Sequence, residues 1–139
     1  MREGQGQEPC EPGVKIKFGT KIRLSHVDTG SNLHSHQVKS ALSRQQEVTA
    51  FGEDGNGDHG DDWVVNPAQG SSNYWKKDNE VFIMHDQTKH HLGCSEQAVF
   101  SLNNCGRQCP VMDHLEVFAR KEKDHFVKWK TSMGVFLHK

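Results

Sequence analysis

The sequence has no apolar stretch near the roughly 18 residues needed to cross a bilayer, and no N-terminal segment with the pattern of a secretory signal. It also lacks a concentrated basic run. The longest, Arg120-Lys-Glu-Lys123, is broken by an acid, and the formal net charge is -1. Neutralising phosphates requires a basic face, so nucleic-acid binding is disfavoured. Cysteine is scarce, with Cys10, Cys94, Cys105 and Cys109 alone, too few for a stapled scaffold. Cys105-Gly-Arg-Gln-Cys109 can close a small disulfide loop or supply half of a metal site, but no second pair stands at metal-ligand spacing. Hydrophobic residues make up only 33% of the chain. No segment keeps an amphipathic helical period over three turns, which argues against a helical bundle.

What the chain does contain is its own pattern twice. Ile22-Arg-Leu-Ser-His26-Val-Asp-Thr29-Gly-Ser-Asn-Leu33 returns as Val81-Phe-Ile-Met-His85-Asp-Gln-Thr88-Lys-His-His-Leu92. Glu47-Val48 returns as Glu116-Val117, and the tryptophan of Asp62-Trp63-Val64 returns in Lys128-Trp129-Lys130. A loop insertion around Phe100 to Asp113 accounts for the drift in spacing, since insertions fall in loops and leave strands alone. A repeated strand unit points to an all-β array built for binding. At 139 residues the chain has the length of one domain, enough to bury about two-thirds of its unfolded surface.

Residues 1 to 13, rich in Gly, Gln, Glu and Pro, read as a flexible tail or linker, followed by a repeat over 14 to 67 and another over 68 to 139. Lys21 to Ser25 alternates with period two, placing Ile22 and Leu24 on one face and Arg23 on the other. Asp28 and Gly30 turn the chain into Asn32-Leu-His-Ser-His36. Gln45 to Phe51 and Trp63 to Val65 complete the first set of strands. Val81 to His85, His91 to Cys94, Leu115 to Ala119 and Phe126 to Lys130 form the second. Gly52 to Gly60 reads as an exposed acidic loop. It imitates the start of a calcium loop, but His59 stands where that motif needs glycine and Val65 where it needs a bidentate glutamate.

Leu33-His-Ser-His36, Gln45-Gln-Glu-Val-Thr49 and Phe51-Gly-Glu-Asp-Gly-Asn-Gly-Asp58 leading to Asp61-Asp-Trp63 together resemble a MIR domain. Within that family the chain looks most like the soluble stromal-cell-derived-factor-type proteins of the endoplasmic reticulum, and protein O-mannosyltransferases carry a related segment. The resemblance covers about residues 13 to 137. It implies a β-trefoil of three four-strand repeats, of which two are clear here. The family's first repeat has no counterpart, and no lumenal retention tetrapeptide follows His138-Lys139. A trefoil short of one repeat leaves strand edges and apolar positions uncovered. Self-association would cover them, as would a divergent element made from residues 1 to 20 and Val135-Phe-Leu137.

The resemblance further implies a non-enzymatic adaptor of the endoplasmic-reticulum lumen, or a secreted one, acting in protein quality control or O-mannosylation. Its partners would be a lumenal chaperone or J-domain co-chaperone, client polypeptides and mannosylated glycans. The alternative is the regulatory segment of a membrane-bound O-mannosyltransferase. The candidate ligand-binding residues are Arg23, Leu33, His34, Ser35, His36, Gln46 and Trp75. Strand alternation puts His34 and His36 on one face, where two imidazoles can hydrogen-bond sugar hydroxyls or fix hairpin geometry. Trp63 and Trp129 occupy equivalent repeat positions and are expected in the core, which leaves Trp75 as the freer ring for stacking. No catalytic residue, metal site or cofactor is expected. Cys94 beside His90 and His91 reads as a buried or bridged thiol, because no orienting group accompanies it.

Overall fold

The computed structural model describes residues 2–3, 11–54, 56–70 and 72–132. Cys10, the segment Val135-Phe-Leu137 and most of the expected tail lie outside the described residues. The strands are β1 (Arg2–Glu3), β2 (Lys21–Arg23), β3 (Asn32–Lys39), β4 (Gln46–Phe51), β5 (Trp63–Pro67), β6 (Val81–His85), β7 (His91–Val99) and β8 (Leu115–Arg120). They form one antiparallel sheet in the order β1-β2-β5-β6-β7-β8-β4-β3. A bridge between Ser25 and Asn32 brings β2 back against β3 and nearly closes the sheet on itself. The architecture is all-β and trefoil-like. Among the described residues no helix is long and apolar enough to cross a membrane.

The duplicated sequence yields duplicated geometry. In the turn after β2, the N–H of His26 donates to Ser31 O and that of Gly30 to His26 O. In the turn after β6, the N–H of His85 donates to His90 O and that of Lys89 to His85 O. Gly30 and Lys89 both adopt positive φ, at 69° and 59°, and each turn is braced by a histidine Nδ1 near a threonine hydroxyl, His26 with Thr29 and His85 with Thr88. The same motif therefore closes both hairpins.

Alternating apolar residues on these strands meet in a core of Ile22, Trp63, Val65, Val81, Ile83 and Leu92. Each aliphatic side chain so buried contributes about 1.5–3 kcal/mol. Both repeat-equivalent tryptophans serve that core: Trp63 Nε1 donates to Leu33 O and Trp129 Nε1 to Leu92 O. Trp75, expected to be free, also packs against the core. The expected strand over Phe126 to Lys130 is instead a 3-10 turn, His125–Val127, followed by a single bridge from Trp129 to Val81. Asp124 causes this, since its carboxylate caps the turn by accepting from the N–H of Phe126. The insertion between β7 and β8 holds a short helix, Leu102–Cys105, closed by a Cys105–Cys109 disulfide. Cys94 is a half-buried free thiol, and burial pushes its pKa up.

Candidate functional site

The outer face of the β3–β4 hairpin gathers the chemistry. Cross-strand pairing places His34 opposite Thr49 and Ser35 opposite Val48. His34 and His36 therefore share one face, with ring centroids 5.2 Å apart and nearly perpendicular. Phe51 joins them, its ring 4.7 Å from that of His34 and 45% exposed. His36 is half exposed and donates from Nε2 to Glu47 Oε1 at 2.7 Å.

Beneath this face the acidic segment is more ordered than its composition suggests. Asp58 caps a 3-10 turn, His59–Asp61, in a reciprocal box. Its carboxylate accepts the N–H of Gly60 at 2.8 Å, while Asp61 Oδ2 accepts the N–H of Asp58 at 3.1 Å. Asp61 is fully buried. Its Oδ1 accepts from His34 Nδ1 at 2.7 Å and its Oδ2 from Asn32 Nδ2 at 3.0 Å. A loop expected to be solvated thus ends in a buried carboxylate that orients His34.

The other candidates lie within the scaffold. Arg23 is 4% exposed, with Nε on Asp62 Oδ1 at 2.8 Å and Nη2 on Asp58 O at 2.9 Å. It does not face solvent, because the capped turn folds over it. Ser35 is buried, donating to Glu47 O and accepting from Gln46 Nε2. Gln46 also donates to Thr88 Oγ1, whose hydroxyl donates to His85 Nδ1, while His85 Nε2 donates to Gly60 O. Burial lowers the His85 pKa, and the neutral ring fits this one-donor, one-acceptor chain. Leu33 lines an apolar groove of about 530 Å³ with Leu24, Val48, Ala50 and Val117. The candidates therefore divide: His36 alone is half exposed, beside the exposed Phe51, whereas His34, 7% exposed under the capped turn and bonded to Asp61, belongs with Arg23, Ser35, Gln46 and Trp75 to the framework.

Sequence reasoning missed Phe51, Asp58 and Asp61. A usable signal existed for Asp58, since Asp58 and Asp124 stand at equivalent distances before the paired tryptophans and both cap 3-10 turns; Asp61 had none, because its counterpart is Val127. Ligand atoms of His34, Asp58 and Asp61 lie within 4.8 Å of one another, a spacing that a divalent ion could bridge. All three are already engaged with one another and with Gly60 and Asn32. Their arrangement is explained by hydrogen bonding alone.

The family profile of the MIR domain matches residues 4–124. The chain is 40% identical to human stromal cell-derived factor 2 over 134 residues, 96% of this chain and 58% of that protein. It is 37% identical to a stromal cell-derived factor 2-like protein of Dictyostelium discoideum over 89% of this chain and 54% of that one. The chain thus spans little more than half the length of these relatives. The SDF2-like protein from Arabidopsis thaliana superposes with a TM-score of 0.75 at 32% identity, covering 91% of this chain and 68% of that one. A chain of the S. cerevisiae protein O-mannosyltransferase Pmt1-Pmt2 complex bound to the sugar donor gives a TM-score of 0.68 at 28% identity, covering 84% of this chain and 17% of that one.

Proposed function

Because the chain belongs to the MIR domain family, we propose that it is a non-enzymatic binding module of the endoplasmic-reticulum lumen, an adaptor that holds glycan-bearing or polypeptide clients for a chaperone or O-mannosylation assembly. One observation carries this reading. The outer face of β3 and β4 combines an exposed aromatic ring, Phe51, with a half-exposed imidazole, His36, on a base fixed by the buried His34–Asp61 bond. Sugars offer the complementary surface: C–H faces that stack on rings and hydroxyls that bond imidazole nitrogens. Preorganisation lowers the ordering cost of binding.

The test is a screen of mannosides and unfolded peptides with wild type, His36→Ala and Phe51→Ala. Both changes lie on exposed or half-exposed positions and leave the core intact. Loss of mannoside binding in both is the expected result, and equal binding by all three proteins rejects the glycan assignment. The second reading, a regulatory segment of an O-mannosyltransferase, is favoured by the likeness to the Pmt1-Pmt2 chain. Transmembrane helices encoded on either side of this segment would decide for it.

A further inference from the structure

A basic pocket lies where the two repeats meet. Gln46 and Glu47 of β4 pair with Ala119 and Phe118 of β8. Beside that junction an open pocket of about 380 Å³ draws Lys39, Arg44, Gln45 and Gln46 from the first repeat and His90 and Lys121 from the second. None of His36, Glu47 or Phe51 lines it, so it is separate from the outer face. Its charge is of one sign. Among the described residues no carboxylate lines the pocket, and Lys39, Arg44 and Lys121 have no ion-pair partner. The acid adjoining Lys121 is already engaged, since Glu122 accepts from Arg120 Nε at 3.3 Å.

Each of the three cations is fixed at its backbone. Lys39 pairs with Gln46 across the ladder, and the carbonyl of Lys121 accepts from His91 Nδ1 at 3.1 Å. Arg44 adopts a φ of 59°, in the left-handed region. Its neighbours hold it there: the N–H of Ser40 donates to Gln45 O at 2.8 Å, and the N–H and hydroxyl of Ser43 both donate to Glu116. Glycine enters that region freely, whereas a side chain there is strained. The turn thus carries strain at the position that gives the pocket its guanidinium.

Gln46 sets a second requirement. It is 8% exposed, and both protons of Nε2 are used, on Ser35 Oγ and Thr88 Oγ1, each at 2.8 Å. Its Oε1 has no donor among the described residues and is not sealed from solvent, so it presents a fixed acceptor to the pocket that Gln46 lines. His90 is oriented as well, its Nδ1 donating to Thr88 O at 2.8 Å.

We propose that this pocket binds the phosphate ester of a sugar. Three cations match a phosphate dianion, and the arginine fork suits two of its oxygens. The sugar supplies the hydroxyl that Gln46 Oε1 needs. A bare anion would set negative charge against that acceptor, and an uncharged sugar would leave the cations unmatched. The volume is that of a small-molecule site. The inference goes beyond the function proposed above and does not rest on it.

The test is a titration of the full chain, followed by amide chemical shifts, with glucose 6-phosphate, glucose and inorganic phosphate at one ionic strength. Glucose 6-phosphate should saturate one site, shift Arg44, Gln45, Gln46 and Lys121, and bind about tenfold more tightly than inorganic phosphate. Glucose should leave these amides unmoved. Lys121→Gln and Arg44→Gly should each weaken binding about fivefold, through loss of a charge-assisted bond. Arg44→Gly should do so with Tm unchanged or raised, because glycine relieves the strained turn. Absence of saturable shifts at these amides, or an affinity that both variants leave unchanged, overturns the proposal. Equal affinity for inorganic phosphate and glucose 6-phosphate rejects the sugar. So does a phosphoserine peptide that binds at these amides more tightly than glucose 6-phosphate, because the occupant is then a polypeptide.

Discussion

Gly60 lies directly against the His34 imidazole, so close that a methyl group at position 60 would collide with Cε1 and Nδ1 of the ring. In the second copy position 34 becomes Gly93 and position 60 becomes Phe126, and a side chain on Gly93 would strike the Val127 side chain and the carbonyl of Phe126, each at 2.8 Å. The turn before the paired tryptophan thus packs tightly against this strand position in both copies, on the His34 ring in the first and on a bare glycine in the second.

Replacing Gly60 with alanine should destabilise the fold by about 1–3 kcal/mol, since the displaced ring is fixed on Asp61 and cannot move without breaking that bond. Combined with His34→Ala, the cost should fall well short of the sum of the single changes, because the clash disappears with the ring. Urea melts of the four proteins in the cycle measure this. Strict additivity would show that the contact carries no strain.

Arg23 should act on stability and not on ligand affinity. Its guanidinium and the Asp62 carboxylate are both almost fully buried and bonded at 2.8 Å. Removing one partner strands a buried charge, at a cost of about 3–5 kcal/mol. Arg23→Ala should therefore lower Tm strongly, while any protein that remains folded binds mannosides as wild type does. A mannoside defect in an Arg23→Ala protein of unchanged Tm would return Arg23 to the binding surface.

How far the fold could be read from the sequence follows from which interactions repeat. Ile22, Trp63, Val81 and Trp129 were legible because their copies preserve residue type, and repeat-equivalent positions share an environment. The shared face of His34 and His36 follows from strand alternation alone. Arg23 was misplaced because the same alternation puts it opposite Ile22, which suggests solvent, whereas the capped turn at Asp58 to Asp61 folds over that side and buries it. Composition marked this turn as a loop, and only the recurrence of an aspartate at Asp124 hinted at a cap. Trp75 sits in a polar stretch, yet it packs against the core where its backbone N–H meets Ile16 O. Such long-range placement leaves no local pattern.

Stability should decline as pH falls through the ordinary histidine value of 6.5. Burial depresses the pKa of His85 and of His91 below the ordinary 6.5, so the folded state binds fewer protons than the unfolded chain. Their contribution is complete above that value and is lost as pH drops through it toward the folded-state pKa. A second loss begins below 4.5, where the unfolded form of Glu116 takes up a proton that the folded form still resists. His85→Gln should flatten the upper part of the profile. An unchanged slope in that variant would assign the dependence to other groups.

Asp61 is the group on which the outer face depends most. Its two oxygens accept from His34, Asn32 and the N–H of Asp58, and it has no contact with solvent. Asp61→Asn keeps the shape but replaces one acceptor with a donor that must face another donor, leaving buried groups unpaired at about 1–3 kcal/mol each. Amide exchange should therefore accelerate first at Asp58 and Gly60, whose N–H groups belong to the capping box, and then at Trp63, which follows the turn. His34 should lose its fixed orientation, and mannoside affinity should fall even in the fraction that remains folded. Unchanged exchange at Asp58 and Gly60 would mean that the turn is held by the backbone alone and that Asp61 is dispensable to it.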